Sequence, residues 1–459
     1  MLVAFYSFFS FKLILHFNDY IALQLNRPKL IKPVWKLAFT ASIVLLSAGI
    51  TIAQERQDPP AVLQKQTDAK QVLSKWFSKK KTATDTTAKK PSTISTLPSA
   101  GFNPSVGMSV GVTSTAGLIF GDPKITTMSV LNTNAYISTK GLLQFEFKHN
   151  IFTNDDLYNI QGNVQVGKTV ALDYGVGTGS RTRGEQGFSF DGLPLSSNSK
   201  VMPVNYSYIK VSERVYRRIA KNLLFGAGVI FNIYNDIDNE GKLGVNTWAH
   251  NYRYSVNHGF TTGGYTNNGL LLNLEYNSRD HINRPYEGMF ADVILRTNET
   301  WMGSNKPATQ LRTELRKYWG LSKINREHVL AFWFWGSFLL SGDLPYLELP
   351  GTGSDQTNRL GRGYTIGRFK GQNFAYSEAE YRFPISKNKL FSGVLFANAQ
   401  TSSAQRNLND VNLGEFVEPG GGFGLRILFN KYTRSNLCID YGVGTYGARG
   451  IFIGLNEVF

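Results

Sequence analysis

Cysteine is nearly missing from this chain: Cys438 is the only one in 459 residues, which excludes a disulfide framework and any multi-cysteine zinc or iron–sulfur site. The six histidines are scattered, with no His-x-x-Glu-His and no paired-His spacing, so metalloenzyme chemistry is not expected and no cofactor is implied. Beyond residue 53 there is no long apolar run, and a mean hydropathy of −0.20 is too polar for a bundle of membrane-spanning helices. No compact basic stripe interleaved with aromatics exists either, so the formal net charge of +16 is not a nucleic-acid footprint. A catalytic elbow is also missing: residues 349–355 (LPGTGSD) lack Gly-x-Ser-x-Gly, and His281 beside Asp280 and Ser278 has no strand-spaced triad partner, so a lipase-like or other enzyme is not expected. The glycine run 175–179 (GVGTG) has no helix after it to cradle a phosphate and reads as a barrel turn.

What is present is an unusual pairing of 45 glycines and 13% aromatics with that modest hydropathy. Strands with one lipid-facing and one water-facing side average to such values. Residues 37–53 (LAFTASIVLLSAGITIA), preceded by Lys29, Lys32 and Lys36, read as a secretory signal cleaved after Ala53, with a retained anchor helix as the alternative. No methionine lies between Met1 and Met108, so the recorded start is expected to be too early, with translation beginning at a non-Met codon near residue 30; residues 1–53 read as an N-terminal extension and the signal. Export lowers the net charge to +12, much of it on residues 54–100, which are rich in Lys, Thr, Ser and Pro. That periplasmic segment is expected to hold a short amphipathic helix within 61–81 and then a flexible linker. Its reading as a solvated spacer is preferred over a helix on the membrane face or a barrel plug.

From residue 101 to 459 the pattern is period two. Leu143, Phe145 and Phe147 alternate with Gln144, Glu146 and Lys148, and Leu270, Leu272, Leu274 and Tyr276 with polar partners. Tyr206, Tyr208, Trp333, Trp335, Tyr441 and Tyr446 are expected to form aromatic girdles at strand ends. About 359 residues at about 22 per tilted strand and connection give about 16 strands. The fold class is therefore all-β: a closed transmembrane antiparallel barrel with outer-membrane lipid as its first partner, because an open edge in lipid leaves backbone groups unpaired. The sequence sets no oligomeric state.

Residues 358–385 carry the most information. Gly361, Gly363, Gly367 and Gly371 make a loop containing Arg362, Arg368 and Lys370, followed by a strand that places Glu378, Glu380 and Arg382 on one face. A loop folded inward would set Arg362 against Glu380 in a fixed-geometry ion pair; on the tripeptide alone a solvated loop arginine is the preferred reading, and the surrounding pattern reverses that preference.

Residues 279–459 resemble the barrel of the BamA/TamA/FhaC outer-membrane superfamily, the bacterial surface antigen family. Arg362-Gly363-Tyr364 looks like its Arg-Gly-Phe/Tyr tip on the loop that enters the barrel, and residues 378–384 (EAEYRFP) resemble the strand after it, with Glu380 at the position of the carboxylate that receives the loop arginine. Residues 279–288, 420–426 and 450–459 resemble neighbouring and final strands. Asn398 stands where some members have a second carboxylate, which makes it a possible second partner. Family members carry POTRA domains before the barrel, and residues 54–100 are too few for one, so the resemblance is to a form lacking them. It implies residence in the outer membrane of a diderm bacterium and help in inserting or translocating unfolded outer-membrane or secreted polypeptides. It also implies that Phe459 acts as the assembly signal recognised in barrel precursors. A passive pore or structural barrel without insertase activity is the rival expectation.

Overall fold

The computed structural model describes residues 63, 66–69, 71–72, 93–103, 107–122, 125–179, 189–190, 193–194, 202–238, 249–404, 411–431 and 434–459. The proposed signal (1–53) and most of the expected helix within 61–81 lie outside these residues. Sixteen long strands follow in chain order: β1 (Thr93–Asn103), β2 (Gly107–Leu118), β3 (Ser129–Ser138), β4 (Leu143–Phe152), β5 (Tyr158–Asp173), β6 (Met202–Ala220), β7 (Leu223–Asp238) and β8 (Gly269–Asn277). They continue as β9 (Gly288–Asn298), β10 (Ala308–Gly320), β11 (Val329–Gly342), β12 (Phe374–Pro384), β13 (Phe391–Ser402), β14 (Glu418–Asn430), β15 (Ser435–Gly444) and β16 (Arg449–Leu455). Each pairs antiparallel with its chain neighbours in one sheet, which also takes in the short strand Tyr265–Thr266. Among the described residues, β1 is registered only against β2 and β16 only against β15, so these two strands flank the seam. β1 starts at Thr93, ahead of the boundary expected at residue 101.

The two faces of the sheet are inverted relative to a water-soluble protein. On β8, Leu270, Leu272 and Leu274 are exposed while Leu271 and Asn273 are buried; on β16, Ile451 and Ile453 point out at 68% and 70% exposure. On β12 the inner row is Phe374, Tyr376, Glu378, Glu380 and Arg382, all buried. An apolar outer row facing hydrocarbon and a polar inner row are what a transmembrane barrel requires. No helix among the described residues is long and apolar enough to cross a membrane.

The expected girdle needs correcting. Tyr441 and Tyr446 are exposed, but Trp333, Trp335 and Tyr208 are buried on the inner face. Trp333 and Trp335 belong to an interior cluster with Tyr318, Phe369, Phe374, Tyr376 and Phe459. Alternation locates two faces without saying which one faces lipid for an aromatic row, and here the inner face has its own packing partner.

That partner is the 343–373 connection between β11 and β12, which enters the interior. Two features went unforeseen. The 239–268 connection carries a helix, α1 (His250–Asn257), whose Tyr254 hydroxyl donates to the Leu344 carbonyl at 3.0 Å. The glycine run 175–179, expected as a barrel turn, is tied to the inward segment and to β14: the Gly177 amide donates to the Lys370 carbonyl at 2.7 Å, and the Gly179 amide to Glu418 Oε1 at 3.0 Å. Ahead of the sheet, the Thr67 amide donates to the Asn388 carbonyl at 3.0 Å and Asp68 accepts the Lys431 amide at 3.2 Å, so this part of the preceding segment sits against two connecting turns of the barrel.

Candidate functional site inside the barrel

The inward segment folds back on itself through an antiparallel bridge between Gly351 and Lys370. Asp355 shapes its descent: its carboxylate accepts the Thr357 amide two residues on at 2.9 Å, an Asx-turn, and also the Arg359 and Leu360 amides, both at 2.8 Å. At the tip, Gly361 and Gly363 take φ of 89° and 104°, conformations that L side chains disfavour, and the chain reverses around Arg362. Gly363 also lies flat on β15: a Cβ at Gly442 would stand 2.7 Å from the Gly363 nitrogen. The tip thus docks backbone to backbone, which explains small residues on the inner row of β15.

Arg362 is 2% exposed and enters a pocket of carboxylates. Its Nη2 reaches Glu380 Oε2 at 2.5 Å and also bonds Glu378; Nε reaches Glu378 Oε2 at 3.3 Å, and Nη1 reaches Asp440 Oδ2 at 2.9 Å. The guanidinium plane lies over the Phe396 ring, 3.7 Å from its centroid. A planar fork of five donors can serve three carboxylates at once, which a lysine ammonium cannot match in geometry.

The ion pairs continue beyond Arg362. Arg382 Nε donates to Glu380 Oε1 at 2.6 Å; Arg426 bonds Asp440 and donates to Glu457 Oε2 at 2.7 Å; Arg284 pairs with Glu327 at 2.5 Å and lies 3.4 Å from Glu457. Four arginines and five carboxylates, all with side chains no more than 3% exposed, form one connected set. Charges removed from water persist only when paired this completely, so the set holds its members in fixed positions more than it adds stability.

Geometry places the sequence candidates as follows. Glu380 lies against Arg362, as the one-face reading of residues 378–382 requires. Asn398 does not meet the guanidinium; its Nδ2 donates to the Arg362 carbonyl at 2.9 Å and steadies the tip's backbone. The second and third charged partners are Glu378 and Asp440. Tyr364 packs on Phe369 and its hydroxyl donates to the Pro419 carbonyl and accepts the Thr445 amide. Phe459 does not face lipid: it is 3% exposed, stacks on Trp333 at 5.2 Å between ring centroids, and its main-chain oxygen accepts Arg382 Nη2 at 2.8 Å. Glu457, a charged residue two positions before the terminal phenylalanine, turns inward after Leu455 and meets Arg426 and Arg284. Asp440 was legible only through its alternation with Ile439 and Tyr441, and Glu378 through sharing Glu380's face.

Residues 100–445 match the Omp85 superfamily domain. No curated protein matches the chain. Among solved structures, BamA from Haemophilus ducreyi lacking POTRA domains 1–3 superimposes with a TM-score of 0.53 at 14% identity, covering 80% of this chain and 69% of that one. CdiB from Acinetobacter baumannii gives 0.47 at 12% identity, covering 81% and 60%. At such identities the likeness is one of fold.

Proposed function

Since the chain belongs to the Omp85 superfamily and forms an outer-membrane β-barrel, we propose that it assists the insertion or translocation of other polypeptides at that membrane. The observation carrying this reading is the seam beside a filled interior. β16 is seven residues long, and β1 contains Pro98, which lacks an amide donor. A short strand and a proline-bearing strand make weak edges, and a client strand added to a weak edge gains main-chain hydrogen bonds there. The interior beside β16 is meanwhile held by Arg362, so the seam can part without that wall collapsing.

A passive pore is the second reading, favoured by the polar, partly exposed inner rows of β3 to β5, such as Asn132, Asn134 and Gln165. Depleting the protein and measuring other outer-membrane proteins by quantitative proteomics separates the two. The proposal expects loss of a defined set of clients, with the same loss when cysteines join β1 to β16. Unchanged client levels in the presence of open-channel currents would favour the pore.

A further inference from the structure

Arg362 is one of several side chains that tie the inward segment to the wall. Another such tie lies on different strands and has the reverse polarity. Glu348 ends the 3-10 turn Tyr346–Glu348 at the start of the segment. Its Oε1 accepts Asn232 Nδ2 at 2.8 Å and the Tyr234 hydroxyl, both from β7. Its Oε2 accepts Arg296 Nη1 of β9 at 2.9 Å and Asn267 Nδ2 at 3.2 Å. Four donors, two from β7, one from β9 and one from the connection before β8, therefore converge on one carboxylate.

The donors are oriented by contacts that do not involve Glu348. Arg296 Nε donates to Asn298 Oδ1 at 2.7 Å and its Nη2 to the Asn267 carbonyl at 2.8 Å, which leaves Nη1 aimed inward. The tyrosine is fixed by packing against Tyr206 and Tyr265. A pre-oriented set with one guanidinium, two amides and one hydroxyl is complementary to a carboxylate and to no cation. The side chains of Arg296 and Glu348 are 11% and 7% exposed, so the occupied socket is nearly closed, and another carboxylate reaches it only when Glu348 leaves.

We propose that this socket is a carboxylate-binding site on the inner wall, occupied in cis by Glu348, and that its occupancy holds the first limb of the inward segment across the interior. An acidic side chain or terminal carboxylate of another polypeptide is the ligand class that competes with Glu348. The claim stands whether or not the barrel handles clients.

The test uses the full-length protein in planar bilayers, with heat-resistant migration as the folding control. Glu348→Ala empties the socket, and losing these charged hydrogen bonds should lower the closed-to-open ratio about tenfold or more. Adding formate or acetate should restore closure in Glu348→Ala, with chloride at equal ionic strength ineffective. Glu348→Gln keeps the size but loses the charge that Arg296 binds, should open as well, and should respond less to acetate than Glu348→Ala, because the neutral amide still obstructs the socket; it also serves if the alanine variant fails to fold. Wild-type closure in both variants, or equal action of acetate and chloride, would overturn the proposal.

Discussion

Arg362 carries more charge partners than its tripeptide suggests. Three buried carboxylates surround it, so Arg362→Gln leaves negative charge uncompensated and should cost about 3–5 kcal/mol at the inner wall. Arg362→Lys should recover only part of this, because one ammonium cannot reach Glu378, Glu380 and Asp440 together. Exchanging Arg362 and Glu380 as a charge pair should not restore the wild type, since the relocated carboxylate would face Glu378 and Asp440. Heat-resistant migration on gels reads all three; full rescue by the exchange would mean that Glu380 alone matters. At this scale the sequence was half legible. A run such as EAEYR shows which residues share a face, but Asp440 lies 78 positions from Arg362 and no local pattern joins them. Asn398 illustrates the reverse limit, since a side chain at the right depth turned out to serve the backbone.

At the scale of elements, alternation predicted strands well because each strand has only two environments. Leu272 is 46% exposed at the middle of β8, and Leu272→Arg should cost about 2–4 kcal/mol in lipid and reduce assembled barrel. Gln165→Arg on the inner row, beside Glu146, should assemble normally, and equal loss for both variants would contradict the assigned faces. The inward segment obeys no such period and was visible only through its glycines and basic residues. Its docking depends on a wall with no side chain at residue 442: a Cβ there meets the backbone of the tip, so Gly442→Ala should lift the tip and expose residues 357–366 to protease. Unchanged protection would show that the tip docks elsewhere. Aromatic rows misled because strand position was taken as the cue, whereas Trp333 and Trp335 answer to the segment packed inside.

For the molecule as a whole, composition and period pointed to about 16 strands in one barrel, and the chain forms one. What they could not convey was that half the wall faces a packed interior. That required knowing where the 343–373 connection goes, a question of long-range contact and not of pattern. The net charge likewise gave no sign that several arginines are enclosed and neutralised pair by pair.

The contrast between sheet and interior also sets an order in time. Every long strand pairs with its neighbour in the chain, most of them across short connections, so the sheet can zip largely through local loop closure. The interior joins residues far apart: Tyr346 to Asp173, Arg382 to Phe459, Thr178 to the Phe416 carbonyl. None of these contacts can form before both flanking walls exist. The packed interior therefore forms after the strands that line it, and a partly zipped sheet passes through a stage in which its inner face is still open to water.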